Sequence, residues 1–120
     1  MLRIVAAWRN MSCMDTNSER RDHRLVGAVA KREILRKYGN ASKFARKTGI
    51  SRKTLERLFS GITSVAPDRL IFIEGELDLP RDTFAFVAIH DMDALVKIGV
   101  DPDLVRWIRE EMDLRDAWGA

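Results

Sequence analysis

From residue 22 onward the chain is a succession of short apolar-periodic runs, each closed within a few turns by glycine or proline. Val26, Ala30, Ile34 and Tyr38 recur in steps of four, with Leu25, Val29 and Leu35 beside them, and Gly39 follows. That spacing lays one apolar stripe along a helix, and a glycine directly after it suits the positive-φ residue that ends one. The phrase then repeats. Asn40 can cap a helix over 41–47 with Phe44 and Ala45 on its inner side, and Thr48-Gly49-Ile50 breaks it. Ser51 can cap a third helix over 52–60, and Gly61 stops it. Pro67 fits the first turn of a fourth, carrying Leu70, Ile73 and Leu77 inward. After the Leu79-Pro80 break, Asp82 is expected to cap a short helix over 84–89. A run this short and apolar also fits a buried strand, but nothing nearby offers a pairing partner. A further helix covers 91–98, and Asp101-Pro102 opens the last, with Leu104, Val105, Ile108 and Met112 on one face. Such punctuation implies an all-α fold of several short helices.

Composition enters through charge. The 120 residues carry 21 Lys and Arg against 18 Asp and Glu, a net +3. That total is a cancellation: residues 1–19 sum to 0, residues 20–57 to +10 and residues 58–120 to −7. A basic stretch of this density is either a solvated face or an electrostatic footprint for phosphate, and what it is built into must decide. Other classes drop out more simply. No apolar run approaches the ~20 residues of a membrane span. Cys13 is the only cysteine, so no internal disulfide can form, and one Cys with two distant His gives no zinc-ligand spacing. Residues 1–20 lack sustained periodicity and read as a weakly ordered extension, with Met11 and Met14 as alternative starts and no secretory signal. A cytoplasmic, nucleoid-associated protein is expected.

The stretch from Ser42 to Leu58 reads as a helix-turn-helix. Ala45 is small where two helices cross, and Gly49 supplies a positive φ in a three-residue turn. Ile50 plugs the angle between the helices, while Leu55, Leu58 and Phe59 seat the second helix on the core. That helix is then held outward, free to enter a major groove that admits one α-helix. Its outward residues Arg52, Lys53, Glu56 and Arg57 are the candidates for base edges. Lys43, Arg46 and Lys47 on the preceding helix suit phosphate. Glu56 either accepts from a cytosine or pairs with Arg52 or Arg57 in the free protein, and pairing is the reading taken.

This pattern resembles the lambda-repressor-like superfamily of phage repressor and Cro (XRE-type) proteins over residues 22–84. The stretch Leu58-Phe59-Ser60-Gly61-Ile62-Thr63 is similar to the end of that family's recognition helix and the loop after it, and Arg69-Leu70, Ile73-Glu74, Leu77 to Pro80 and Thr83-Phe84 resemble its fourth and fifth helices. The resemblance implies a five-helix DNA-binding domain with a helical C-terminal extension. It implies base reading by Arg52 and Lys53, with phosphate or flanking contacts from Ser42, Ser51, Thr54, Ser60 and Thr63. The family often places a glutamine at the start of the second helix to brace the recognition helix; here that place holds Ala41 or Ser42. Where the family's repressors continue into a self-cleaving C-terminal domain, residues 85–120 read here as an acidic segment.

The expected organisation is therefore an extension over 1–20, a DNA-binding domain over 22–84 and an acidic helical extension over 85–120. The extension packs on the domain, forms a homodimer interface through 82–113, or offers carboxylates to a partner such as RNA polymerase. Double-stranded DNA is the expected partner, and no catalytic residue, cofactor, metal or membrane is called for. His23 reads as a surface residue and Trp107 as packing. His90 beside Asp91 and Asp93 lacks a third ligand or a nucleophile. Trp118 lies in the tail. The functional expectation is a transcriptional repressor that occupies an operator. Its alternatives are a recombination or excision accessory factor, and a protein-interaction module such as an antitoxin or anti-repressor.

Overall fold

The structure is a computed structural model that describes residues 21–61 and 65–119, with side chains through Leu114. The expectations for residues 1–20, for Thr63 and for the Trp118 side chain lie outside the described residues. Seven helices and no strand are found among those described: α1 (His23–Tyr38), α2 (Ala41–Thr48), α3 (Arg52–Ser60), α4 (Pro67–Glu76), α5 (Thr83–Ala88), α6 (Met92–Lys97) and α7 (Pro102–Gly119). The all-α expectation holds, and the run at 84–89 is helical.

Several ends are made by the neighbouring sequence. Asp22 Oδ1 accepts from Leu25 N, Asn40 Oδ1 from Lys43 N, Ser51 Oγ from Thr54 N and Asp91 Oδ1 from Ala94 N. Each relieves one of the orphan N–H groups of a helix start. Gly49 closes α2 at φ +77, inside the turn where a side chain would be strained.

The centre of the molecule is α1, which packs against α2, α3, α5 and α7. One continuous apolar core runs from Leu25 through Phe44, Leu55, Ile73 and Phe84 to Ile108. Two expectations fail here. Leu35 was placed on the inward stripe of α1 but is 45% exposed, because α1 turns its Leu25–Val29–Ala30–Ile34 side to the core. Asp82 does not cap α5: it sits at φ +74 and makes no side-chain cap bond. The capping carboxylate comes from α4. Glu74, almost wholly buried, accepts from Asp82 N through Oε1 (3.0 Å) and from Phe84 N through Oε2 (2.8 Å).

The C-terminal helix α7 packs on α1 as well as on α6. The Arg32 guanidinium lies 5.4 Å from the centre of the Trp107 ring on α7 and 2.6 Å from buried Glu33, which Arg36 also approaches. Trp107 is thus a packing residue, as expected. A second tie runs from the start of α1 to the end of α5: Asp22 N donates to Ala88 O, and Asp22 Oδ2 lies 2.9 Å from His90 Nε2. His90 is therefore spent on the fold, and among the described residues no cluster of three metal-ligating side chains is found.

Candidate nucleic-acid interface

α2 and α3 form the helix-turn-helix. Phe44, Leu55 and Leu58 are buried and Ile50 nearly so, which seats both helices on α1. The closest approach is made by Gly27 of α1. A Cβ there would lie 2.1 Å from Leu58 O and 2.8 Å from Phe59 O, so α1 and the end of α3 meet backbone to backbone. From the sequence, Ala45 is the small residue expected where the helices cross. Gly27 sits in an unremarkable helical run, and only the interhelix distance reveals its role.

The outer face of α3 is open. Arg52, Lys53, Glu56, Arg57 and Ser60 are exposed, as are Ser42, Lys43, Arg46 and Lys47 of α2. Ser51 is exposed at the start of α3, and Thr54 is half-buried behind it. The acidic helix α7 packs on α1 and α6. Among the described residues, it does not cover the basic face of α3.

Arg52 is held rather than loose. Its Nη1 donates to Ser42 Oγ, and its Nη2 lies 3.9 Å from Glu56 Oε1. A serine thus braces the recognition helix at the place where a glutamine was missing, and it does so by fixing the arginine itself. Glu56 pairs with Arg52, as read. From behind, Arg69 of α4 donates to Thr54 Oγ1 (3.3 Å), which in turn shares a proton with the capping Ser51 Oγ (2.9 Å). The sequence offered no signal for Arg69, since its partner lies fifteen residues away on another helix. An open cleft of about 700 Å³ lies between the turn and α4. Asp68 and the half-exposed Phe72 beside Arg69 make it a poor seat for phosphate.

Several cations of the basic stretch have partners within the fold and others do not. Arg32 and Arg36 are spent on Glu33, Lys37 lies 3.9 Å from Asp78, and Lys47 stacks 5.5 Å from the Tyr38 ring. Lys43, Arg46, Lys53 and Arg57 make no ion pair among the described residues and stand on or beside α3. Charge left unneutralised along one helix pair is what a polyanion requires. His23 takes no part in this. Burial lowers its pKa, helped by the adjacent Arg21 charge and opposed by Asp22.

Comparison with known proteins agrees with this geometry. No curated protein and no solved structure matches the chain. The helix-turn-helix family model matches residues 31–84. That span runs from the middle of α1 into α5 and includes the whole turn, both of its helices and α4. No helix among the described residues is long and apolar enough to cross a membrane. Double-stranded DNA binding in transcription regulation is the activity of this regulatory family, which is generally non-enzymatic. Residues 31–84 are a helix-turn-helix domain of the XRE, or lambda-repressor-like, type.

Proposed function

We propose that the chain is a sequence-specific transcriptional repressor of the phage or prophage kind, acting by occupying an operator and excluding polymerase. The observation that carries this is the outer face of α3. It is exposed, carries Arg52, Lys53 and Arg57, and has its first arginine already oriented by Ser42. An arginine that keeps one direction loses less freedom on meeting guanine O6 and N7, the commonest specific pairing in the major groove. Lys43, Arg46 and Lys47 supply phosphate contacts that set the register. Ser51, Thr54 and Ser60 flank the reading residues.

An antitoxin or anti-repressor reading would be favoured by an acidic segment laid over this face, and α7 lies elsewhere. One helix-turn-helix reads few base pairs, and a dimer on two half-sites is the usual remedy. Within 82–113, Ile89 and Val96 are 44% and 57% exposed, which supports a dimer through this region. Sedimentation as a monomer at tens of micromolar, with and without duplex, would sink that part of the reading.

The test is affinity for a duplex selected from a random-sequence pool by the protein itself. Arg52→Ala and Lys53→Ala should each lose ~1–3 kcal/mol on the selected duplex and little on a mixed-sequence one. Lys43→Ala should weaken both alike and flatten the salt dependence by about one unit of slope. Sequence preference left intact in both α3 variants overturns the reading. DNA bending without repression from a promoter carrying the site would move it to an architectural accessory factor.

A further inference from the structure

We propose that Arg24, on the first turn of α1, grips the DNA backbone at the C-terminal end of α3, on the strand opposite the one gripped by α2. The inference rests on the DNA-binding reading of α3 and adds a contact from a helix outside the helix-turn-helix.

The position comes from Gly61, which closes α3 in the left-handed region at φ +66. A Cβ on Gly61 would lie 2.5 Å from Arg24 Cα, 2.6 Å from Arg24 N and 2.9 Å from Arg24 Cγ. The first turn of α1 is therefore pressed against the last residue of the recognition helix, and the Arg24 side chain starts from that contact. The residue is exposed and makes no ion pair among the described residues. In this it resembles Lys43 and Arg46, and differs from Arg32 and Arg36 further along its own helix, which Glu33 neutralises.

The other end of α3 is fixed independently. The hydrogen bond from Arg52 to Ser42 ties the start of α3 to the start of α2, so Lys43 stands at the N-terminal end of the recognition helix. Nine residues of α-helix are about 13 Å long. The major groove is about 12 Å wide. A helix of this length laid into the groove has its two ends near the two sugar-phosphate walls. Cations fixed at opposite ends of the helix therefore meet opposite strands. Lys43 serves one wall and Arg24 the other, and the exposed Ser60 lies between Arg24 and the groove floor.

Each phosphate neutralised steepens the salt dependence of binding by about 0.9. The variants are Arg24→Gln, which keeps the stem that packs against Gly61, Lys43→Gln, and the double variant. Lys97→Gln on α6 removes the same charge away from the interface. On a mixed-sequence 30-base-pair duplex, Arg24→Gln and Lys43→Gln should each reduce the slope by about one and the double variant by about two. Arg24→Lys should restore it, and Lys97→Gln should leave it as in the wild type. On a duplex selected by the wild-type protein, ethylation of single phosphates should interfere on both strands. Within each half-site, Arg24→Gln should lose the interference on one strand, and Lys43→Gln on the other. Wild-type protein that binds no duplex overturns the DNA-binding reading and this inference with it. Binding with a normal slope for Lys43→Gln overturns the assignment of α2. An unchanged slope for Arg24→Gln beside a reduced one for Lys43→Gln, or both losses on the same strand of a half-site, overturns the role of Arg24 alone.

Discussion

Helices α3 and α5 are both short, both begin after a tight break and both belong to the same core, yet their sequences place them in opposite environments. In α3, Leu55 and Leu58 face inward while Arg52, Lys53, Glu56 and Arg57 face out. In α5 every residue from Thr83 to Ala88 is buried. A helix that is apolar all round cannot present a surface, so α5 can only join elements together. It packs on α1 and receives α6. The helices differ equally in how they start. The orphan N–H groups of α3 are met by Ser51, the residue directly before it. Those of α5 are met by Glu74, eight and ten residues upstream on a different helix. The reading helix is capped locally and held from outside by Gly27, Ser42 and Arg69. The joining helix has a buried acid at its base.

The largest expected effect tests how α3 is seated. Gly27→Ala puts a methyl group against two carbonyl oxygens of the α3 backbone, neither of which can swing away like a side-chain tip. The helices must separate, and overpacking of this sort costs about 3 kcal/mol, or a fall of roughly 10 °C in Tm. Thermal unfolding followed by circular dichroism measures it, and a loss below about 1 kcal/mol would mean that α1 and α3 are not locked at this point. The same variant should bind all duplexes less well in proportion to the fraction unfolded, with sequence preference unchanged in the remainder.

The next effect belongs to α5 and is read through pH. Burial pushes the Glu74 carboxyl up to about 7, against the opposing pull of its two backbone N–H donors. A carboxyl whose folded pKa is raised favours the folded state fully below its unfolded value of 4.5, and that contribution is lost as pH rises through about 7. The wild type should therefore lose on the order of 3 kcal/mol from this group between those limits and then level off. Denaturant titrations at several pH values, compared with Glu74→Gln, isolate the contribution. The difference between the two proteins should change with pH over that window, and a constant difference would show Glu74 ionised throughout. No comparable slope is expected from the cap of α3, because Ser51 does not titrate in this range.

How much could be read from residues alone follows the same division. The caps at Asn40 and Ser51 and the stops at Gly39, Gly49 and Gly61 are local devices, so their helices and the outward face of α3 were legible. The error at Asp82 has the opposite origin. An acidic residue in the cap position is a good local signal, but at φ +74 its side chain makes no cap bond, and Glu74 supplies that bond through tertiary structure. Leu35 lies just outside the buried stripe of α1, an offset of one position that apolar spacing alone does not resolve. Gly27 and Arg24 were invisible for a third reason: their parts depend on the distance between helices, which no periodicity encodes.

The smallest effect concerns the reading helix itself and separates positioning from contact. Ser42 is exposed and small, so its loss should leave stability within about 0.5 kcal/mol. Its hydroxyl accepts from the Arg52 guanidinium, one charge-assisted hydrogen bond that holds the arginine before DNA arrives. In Ser42→Ala the arginine is left with only the more distant Glu56, and fixing it on the base edge must then cost side-chain entropy that the wild type has already lost. The expected loss is ~0.5–1.5 kcal/mol on the selected duplex, none on a mixed-sequence duplex, and no change in salt slope. The outcome of the double variant decides the mechanism. If Ser42 acts through Arg52, Ser42→Ala adds nothing in an Arg52→Ala background. If its effect persists there, Ser42 touches the DNA directly, and the start of α3 owes its reading geometry to Glu56 instead.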